Sequence, residues 1–281
     1  MTLSRRKAIA LVGGGLILAA GGDTGYRVTR RPQTALKPWE LAGTYAEPRQ
    51  KALSFALLSP NPHNLQPWLV DLSEPDTVVL YANPDKLLPE TDPMSRQITI
   101  GLGAFLEMMR MAAAHDGYRV DFEYFPDGSN AEALDARPIA RAVFVKDPDQ
   151  SPDPLFAHVL ARRSNKEPYD TSRPVASETV DILKAASAEI SFGSTLDAED
   201  IAYFREMTTE ALFVELKTPR THMESVDVFR IGHREVDASP DGIDLSGPMF
   251  EGLKLAGMFN RAQAADPNSM AYKGGLDMVA S

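Results

Sequence analysis

A chain of 281 residues, 43% apolar, has enough material for one large globular domain or two small ones. Its net charge of −10, from 29 Lys and Arg against 39 Asp and Glu, argues against nucleic acid as a partner, because phosphate binding needs a basic face. With no cysteine, disulfides, thiolate metal sites and a cysteine nucleophile are excluded, and the five histidines show neither HExxH nor HxH spacing, so no metal site is expected.

Residues 1–22 open on Arg5, Arg6 and Lys7 and continue as an uncharged run from Ala8 to Gly22. That run is shorter than the about 20 apolar residues of a comfortable membrane span and fits an export segment. Ser4-Arg5-Arg6 resembles the twin-arginine export motif; two ordinary basic residues of a general secretory signal are the alternative. No clean A-x-A cleavage site follows, so a retained anchor stays open. The expected location is exported, periplasmic or membrane-anchored, with the export machinery for folded proteins as a partner. Gly13-Gly14-Gly15 is no phosphate loop, because no GxxxxGK[ST] follows.

Residues 23–46 are polar with two prolines and read as a linker. Ala52, Phe55, Ala56 and Leu58 fall near helical spacing and predict a helix over 48–58. The runs 68–72 and 77–82 read as two strands of a hairpin joined through Ser-Glu-Pro-Asp. Asp92-Pro93 is a good helix start, and the helix from Pro93 to about Asp116 is apolar nearly all round, Ile98, Ile100, Leu102, Phe105 and four methionines from 94 to 111 among its residues. Such a helix is buried on most sides, and Gly101 and Gly103 within it suggest close approach of another backbone. Gly117 stops it. Residues 118–125 and 139–145 are strands. Helices follow at about 176–188 and 197–217, with a short strand at 190–194 between them. Residues 233–247 read as loop-rich surface, 249–263 as one more helix, and the tail as lacking a closing element. Strands with long helices between them give an α+β fold around a buried central helix.

Chemistry concentrates in two segments. The first is Pro62-His63-Asn64-Leu65-Gln66-Pro67-Trp68, where flanking prolines freeze a non-helical backbone. The amide edges of Asn64 and Gln66 carry donors and acceptors, which suits a flat heterocycle with alternating N–H and C=O groups. A rigid turn around a buried Trp is the alternative. The second is Arg162-Arg163-Ser164-Asn165-Lys166, three cations and a hydroxyl after the apolar run 155–160. It reads either as an anion site, since Arg grips phosphate with parallel bonds, or as a solvated basic helix end. Gly101-Leu102-Gly103 lacks the third glycine of a dinucleotide fingerprint, and no GxSxG of a serine hydrolase occurs.

Residues 59–68, SPNPHNLQPW, resemble a signature of the nitroreductase-like flavoprotein superfamily, and RRSNKEPY resembles its Arg-Ser flavin-holding segment. The helix beginning DPMSRQ is similar to the one that follows in that superfamily. Here the Asn-Gln-Trp piece precedes Arg162 by roughly a hundred residues, an order that resembles the Acg-like subfamily, in which one chain looks like two fused nitroreductase halves. The resemblance implies an antiparallel-rich sheet flanked by helices, internally duplicated, with a first half at 47–150 and a second at 151–281. A single FMN site would lie between the halves as in a pseudo-dimer, under a lid at about 219–260. It implies Arg162 on the FMN phosphate, Arg163 and Ser164 near the ribityl chain or the pyrimidine edge, Lys166 near N1 and the C2 carbonyl, and Pro62, His63, Asn64 and Gln66 framing the flavin from the other half. Trp68 is read as packing. Arg96 reaches either the phosphate or a surface ion pair. The flavin is then the reactive group and no side chain need act as acid or base. The implied activity is FMN-dependent oxidoreduction, with NAD(P)H as donor and a nitroaromatic, quinone or similar small molecule as acceptor. The alternative is a flavin-sequestering protein whose lid excludes nicotinamide. Relatives of this kind continue past a point like Ser281, so the chain is expected to be a shortened member or a fragment.

Overall fold

The computed structural model describes residues 25, 30–165, 169–187 and 190–280; the export segment expected at 1–22 and Lys166 lie outside them. Within the span read as a linker, a 3-10 turn (Thr34–Leu36) leads into a five-residue helix, α1 (Lys37–Leu41). Helix α2 (Pro48–Ala56) starts where its sequence indicates: Pro48 suits the first turn, and the Glu47 carboxylate accepts from the Gln50 N–H. Its last turn tightens at Leu58, whose N–H donates to the Phe55 carbonyl, so the helix stops two residues short of its expected end.

The hairpin forms as expected from β1 (Trp68–Asp71) and β2 (Thr77–Ala82), paired antiparallel with Trp68 opposite Ala82. Its turn is held by one guanidinium: Arg49 Nη1 donates to the carbonyls of Leu72, Glu74 and Thr77 at 3.2, 2.7 and 2.8 Å. The sheet is completed by β3 (Tyr118–Tyr124) and β4 (Pro138–Lys146), giving an antiparallel order β1-β2-β4-β3. Mixed helix and antiparallel sheet make this an α+β fold.

Between β2 and β3 runs α3 (Arg96–His115), the longest helix of this part. It starts three residues later than expected, because Ser95 takes a left-handed φ of 51° and Asp92 reaches forward, its carboxylate accepting from Arg96 N and Ile98 N at 2.8 and 3.0 Å. Gly117, at φ 73°, ends it. Ile98, Leu102, Phe105, Leu106 and Met109 bury against Val78 and Leu80 of β2, Ala140 and Ala142 of β4, and Ala52, Leu53 and Ala56 of α2. Burial of that many apolar side chains is the main force holding α2, α3 and the sheet together. One side of α3 is not covered: Arg96, Gly103 and Glu107 are exposed, and Ile100 is 73% exposed. The expectation of burial on most sides therefore fails at Ile100, because apolar count does not specify direction when a helix has a solvent stripe. Gly101 does meet another backbone. A Cβ there would sit 3.2 Å from Asn61 Cβ and Pro62 Cδ, whereas one on Gly103 would have nothing within 4 Å.

Beyond residue 150, a 3-10 turn (Pro154–His158) capped by Asp153 precedes the helices α4 (Ser177–Ala186), α5 (Ala198–Lys217) and α6 (Pro219–Asp227). The strand expected at 190–194 is irregular chain, and among the described residues no neighbouring strand supplies a ladder. Glu224 on α6 fastens this part to the loop before α3, its carboxylate accepting from Glu90 N, Thr91 N and Thr91 Oγ1.

The stretch expected to be surface loop is ordered instead. Strand β5 (Phe229–Ile231), helix α7 (His233–Ala238) and strand β6 (Ile243–Leu245) form a compact unit with β5 and β6 parallel. Glycines at φ 79° and 86°, Gly232 and Gly242, make the turns, and His233 and Val236 are buried. The single helix expected at 249–263 is two, α8 (Pro248–Leu255) and α9 (Arg261–Ala265). They are divided at Gly257, φ 68°, and the second is started by the cap at Asn260, whose side chain accepts from Gln263 N. The tail closes with α10 (Met270–Ala280). Among the described residues, the antiparallel sheet of the first part has no counterpart after residue 150, and no helix is long and apolar enough to cross a membrane.

Candidate functional site

The segment 59–68 is a backbone under tension. His63, Asn64 and Gln66 all take left-handed φ values, 48°, 53° and 54°. Asn tolerates that region, but for Gln it is strained, and three such residues in four positions persist only where surroundings impose them. Here Asn61 imposes part of it: its Oδ1 accepts from Gln66 N at 2.8 Å, and its Cα and Cβ pack on Gly101. Strain of this kind concentrates at binding sites.

The side chains so placed meet the unit formed by β5, α7 and β6. Gln66 Nε2 donates to the Pro240 carbonyl at 2.9 Å, and Asn64 Nδ2 reaches the Pro240 and Gly242 carbonyls at 3.3 Å each. In return the Gly242 N–H donates to the Asn64 carbonyl at 2.9 Å. The turn at 239–242 is braced from its own side by Asp241, which accepts from Arg230 Nη2 at 2.8 Å and Ser239 Oγ at 2.7 Å and lies 3.0 Å from Lys86 Nζ. Although burial opposes ionisation, these hydrogen bonds and cations hold the Asp241 carboxyl down at about 2.

A cavity of about 580 Å³ opens beside this junction, a volume in the range of small-molecule sites. Its wall includes His63, Asn64 and Gln66 from the first segment and Arg162, Arg163 and Ser164 from the second, so the fold brings the two together. Pro62 is not on the wall; it packs against Gly101 and supports the residues that are. Arg96 is exposed and also off the wall.

Among the described residues, the charge at one end of the wall has no carboxylate partner. Arg162 donates from Nη2 to the Leu58 carbonyl at 2.6 Å, but its Nε is buried without a partner, and among the described residues neither Arg162 nor Arg163 has a carboxylate within ion-pair distance. Burial, and secondarily the neighbouring Arg163, pulls the Arg162 pKa below its ordinary value, as expected of a cation lacking its counter-ion. Arg163 lies over the Trp39 ring, 4.6 Å from its centroid, and donates from Nη1 to the Leu160 and Arg162 carbonyls at 2.7 Å each. Burial holds His63 below its ordinary value, against weaker opposing pulls from Glu215 and Glu224.

Several wall residues were not singled out in the sequence. Trp39 and Thr34 come from the span read as a linker, Ser59 from the start of the strained segment, Arg230 from strand β5 just before the expected surface loop, and Asp241 from within that loop. A signal was present for Trp39, since Lys-Pro-Trp-Glu-Leu carries one of only two tryptophans in the chain. Four of the buried polar atoms without partners belong to this wall: Trp39 Nε1, Ser59 Oγ, Arg162 Nε and Arg230 Nε. Three are donors only and the fourth is a hydroxyl, so the cavity is matched to a ligand rich in acceptors.

No family model matches the chain. It is similar to three proteins of Mycobacterium tuberculosis. The "Putative NAD(P)H nitroreductase Rv3131" is 29% identical over 143 residues, 51% of this chain and 40% of that protein. The "Putative NAD(P)H nitroreductase acg" is 31% identical over 121 residues, 43% of this chain and 35% of that protein. The "Uncharacterized protein Rv3127" is 27% identical over 125 residues, 43% of this chain and 36% of that protein. The matches thus span no more than 40% of these relatives' length. Two of these three relatives carry names of putative NAD(P)H nitroreductases.

Proposed function

We propose that the cavity binds FMN and that the protein is a flavin-dependent oxidoreductase of nitroreductase type. The observation that carries this reading is the donor set: four unpartnered buried donor groups on one cavity wall, one of them on the Arg162 guanidinium, which among the described residues has no carboxylate partner. Phosphate, ribityl hydroxyls and a ring with two carbonyls supply the acceptors such a wall lacks, so the residues fit the group. Arg162 would hold the phosphate, its free Nε adding to a charge-assisted contact, with Arg163 and Ser164 beside it. Asn64, Gln66 and His63 would border the ring from the other side, and Lys166 is assigned to its N1 and C2 carbonyl edge, where a fixed cation favours the negative charge of reduction. The chemistry supplied by bound FMN is transfer of hydride and electrons from a reduced nicotinamide to a nitroaromatic, quinone or similar acceptor. The protein positions and tunes; no side chain need exchange a proton. A single site shared by residues before and after position 150 also supports the reading of two halves that together make one pocket.

One observation favours a second reading. The side-chain N–H groups of Asn64 and Gln66 are engaged by the turn at 239–242, within the stretch assigned as a lid. A lid fastened in this way favours a covered flavin that is stored and not turned over. Export, if residues 1–22 direct it, removes the protein from NAD(P)H and points the same way.

The test is the visible spectrum of mildly purified protein, with the chromophore identified after denaturation, followed by NAD(P)H oxidation with and without a nitroaromatic. FMN release with coupled oxidation supports the enzyme. Retained FMN without NAD(P)H oxidation supports storage. Protein that is colourless and takes up no FMN refutes both.

A further inference from the structure

We propose that Trp39 is a ligand-contacting residue of the cavity, its indole N–H donating to an acceptor oxygen of the phosphate-bearing ligand gripped by Arg162, and that Asp237 is the positioning residue that docks the 34–39 segment there. This extends the FMN reading and rests on it. The segment lies outside both signature stretches and within a span whose composition reads as linker, yet Thr34, Leu36, Pro38 and Trp39 form part of the cavity wall.

Three observations carry the inference. First, Trp39 Nε1 is buried without a partner, whereas a buried indole N–H ordinarily finds an acceptor. On the same cavity wall, Arg162 Nε and Ser59 Oγ lack partners too, so the three leave a common demand for acceptors. Second, the indole is fixed on both sides. Its apolar surface packs on the small cluster of Leu58, Met108, Met111 and Val159, and Arg163 lies over its ring at 4.6 Å. Leu58 is also the residue whose carbonyl accepts from Arg162, so the indole and the uncompensated guanidinium are anchored at one point. Third, the segment is held by a specific acceptor. Asp237 Oδ1 accepts from Gln33 N and Thr34 N, both at 2.7 Å, and from Ala35 N at 3.4 Å. Asp237 sits on α7 next to Val236, itself a wall residue, so one short helix ties the 34–39 segment to the turn that meets Asn64 and Gln66.

The experiment uses the full chain with 15N at the tryptophan indoles. Trp39 and Trp68 are the two tryptophans, and Trp68→Phe assigns the signals. On titration with FMN the Trp39 N–H signal is expected to move downfield and exchange more slowly with water, while that of Trp68, packed on Phe105, stays in place. Trp39→Phe, which keeps the packing, weakens FMN binding about five- to twentyfold. Asp237→Ala broadens the Trp39 signal and weakens FMN; Asp237→Asn, which keeps an acceptor oxygen, restores both. FMN that binds Trp39→Phe as tightly as the parent and leaves the Trp39 signal unmoved overturns the proposal while the FMN reading stands. Absence of FMN uptake by every variant and the parent overturns that reading and this proposal with it.

Discussion

The side-chain amide of Gln66 donates to the main-chain oxygen of Pro240 at 2.9 Å, across 174 positions of sequence. With the Asn64 and Gly242 bonds beside it, this contact fastens the turn at 239–242 over the strained segment. Removing the amide with Gln66→Ala deletes a neutral hydrogen bond worth about 1 kcal/mol and should free the turn locally. Hydrogen exchange at the Gly242 amide, which donates to Asn64, is expected to quicken about threefold to tenfold, with exchange in α3 unchanged.

Gly242 itself has no substitute. Its φ is 86°, and an added Cβ would collide with the Val228 carbonyl oxygen and lie 2.9 Å from the Arg230 guanidinium carbon. Gly242→Ala should cost about 2–3 kcal/mol in chemical denaturation, since backbone strain and a steric clash combine. A variant of unchanged stability would mean that the turn is not built this way.

A clash of the same kind is available on the other side of the site. Gly101→Val would push a branched side chain against Asn61 and Pro62, whose nearest atoms are 3.2 Å from a Cβ at that position. Overpacking costs about 1–3 kcal/mol, and because Asn61 Oδ1 holds Gln66 N, the variant should also weaken ligand binding. Gly103→Ala, with open space around it, is the control: it should leave ligand binding unchanged and, as alanine for glycine within a helix, raise stability by about 1 kcal/mol.

The hairpin at 68–82 was legible because β-branched runs flank a Ser-Glu-Pro-Asp turn, and α5 because Asp197 caps it and its N–H groups at Glu199 and Asp200 answer. The two chemistry-bearing segments stood out by residue type, and the fold brings Asn64 and Gln66 to one cavity with Arg162. What the sequence did not display is whatever depends on distant partners. Strands β5 and β6 have three residues each, too few for a period, and they exist by pairing with one another. The 34–39 segment reads as linker because its order comes from Asp237, some two hundred positions away. Ile100 looked like core because apolar identity carries no direction.

The pH dependence of stability should carry the mark of His63. Burial lowers its pKa in the folded state, so the unfolded chain takes up the proton first as pH falls. Stability is then lost from about pH 6.5 downward. Asp241, held at about 2, contributes its stability above the ordinary carboxylate range and loses it only below about pH 4, outside that window. Urea midpoints should therefore fall between pH 7 and pH 5.5, and His63→Asn, which accepts a left-handed backbone, should flatten the curve.

The most direct test of the cavity is an equilibrium titration of the full chain and of Arg162→Ala with FMN and with riboflavin, which differ by the phosphate alone. FMN is expected to bind the parent protein about ten- to a hundredfold more tightly than riboflavin, and Arg162→Ala to erase most of that preference. Equal affinity for the two flavins, or uptake of neither, would contradict the assignment of Arg162 and of the cavity.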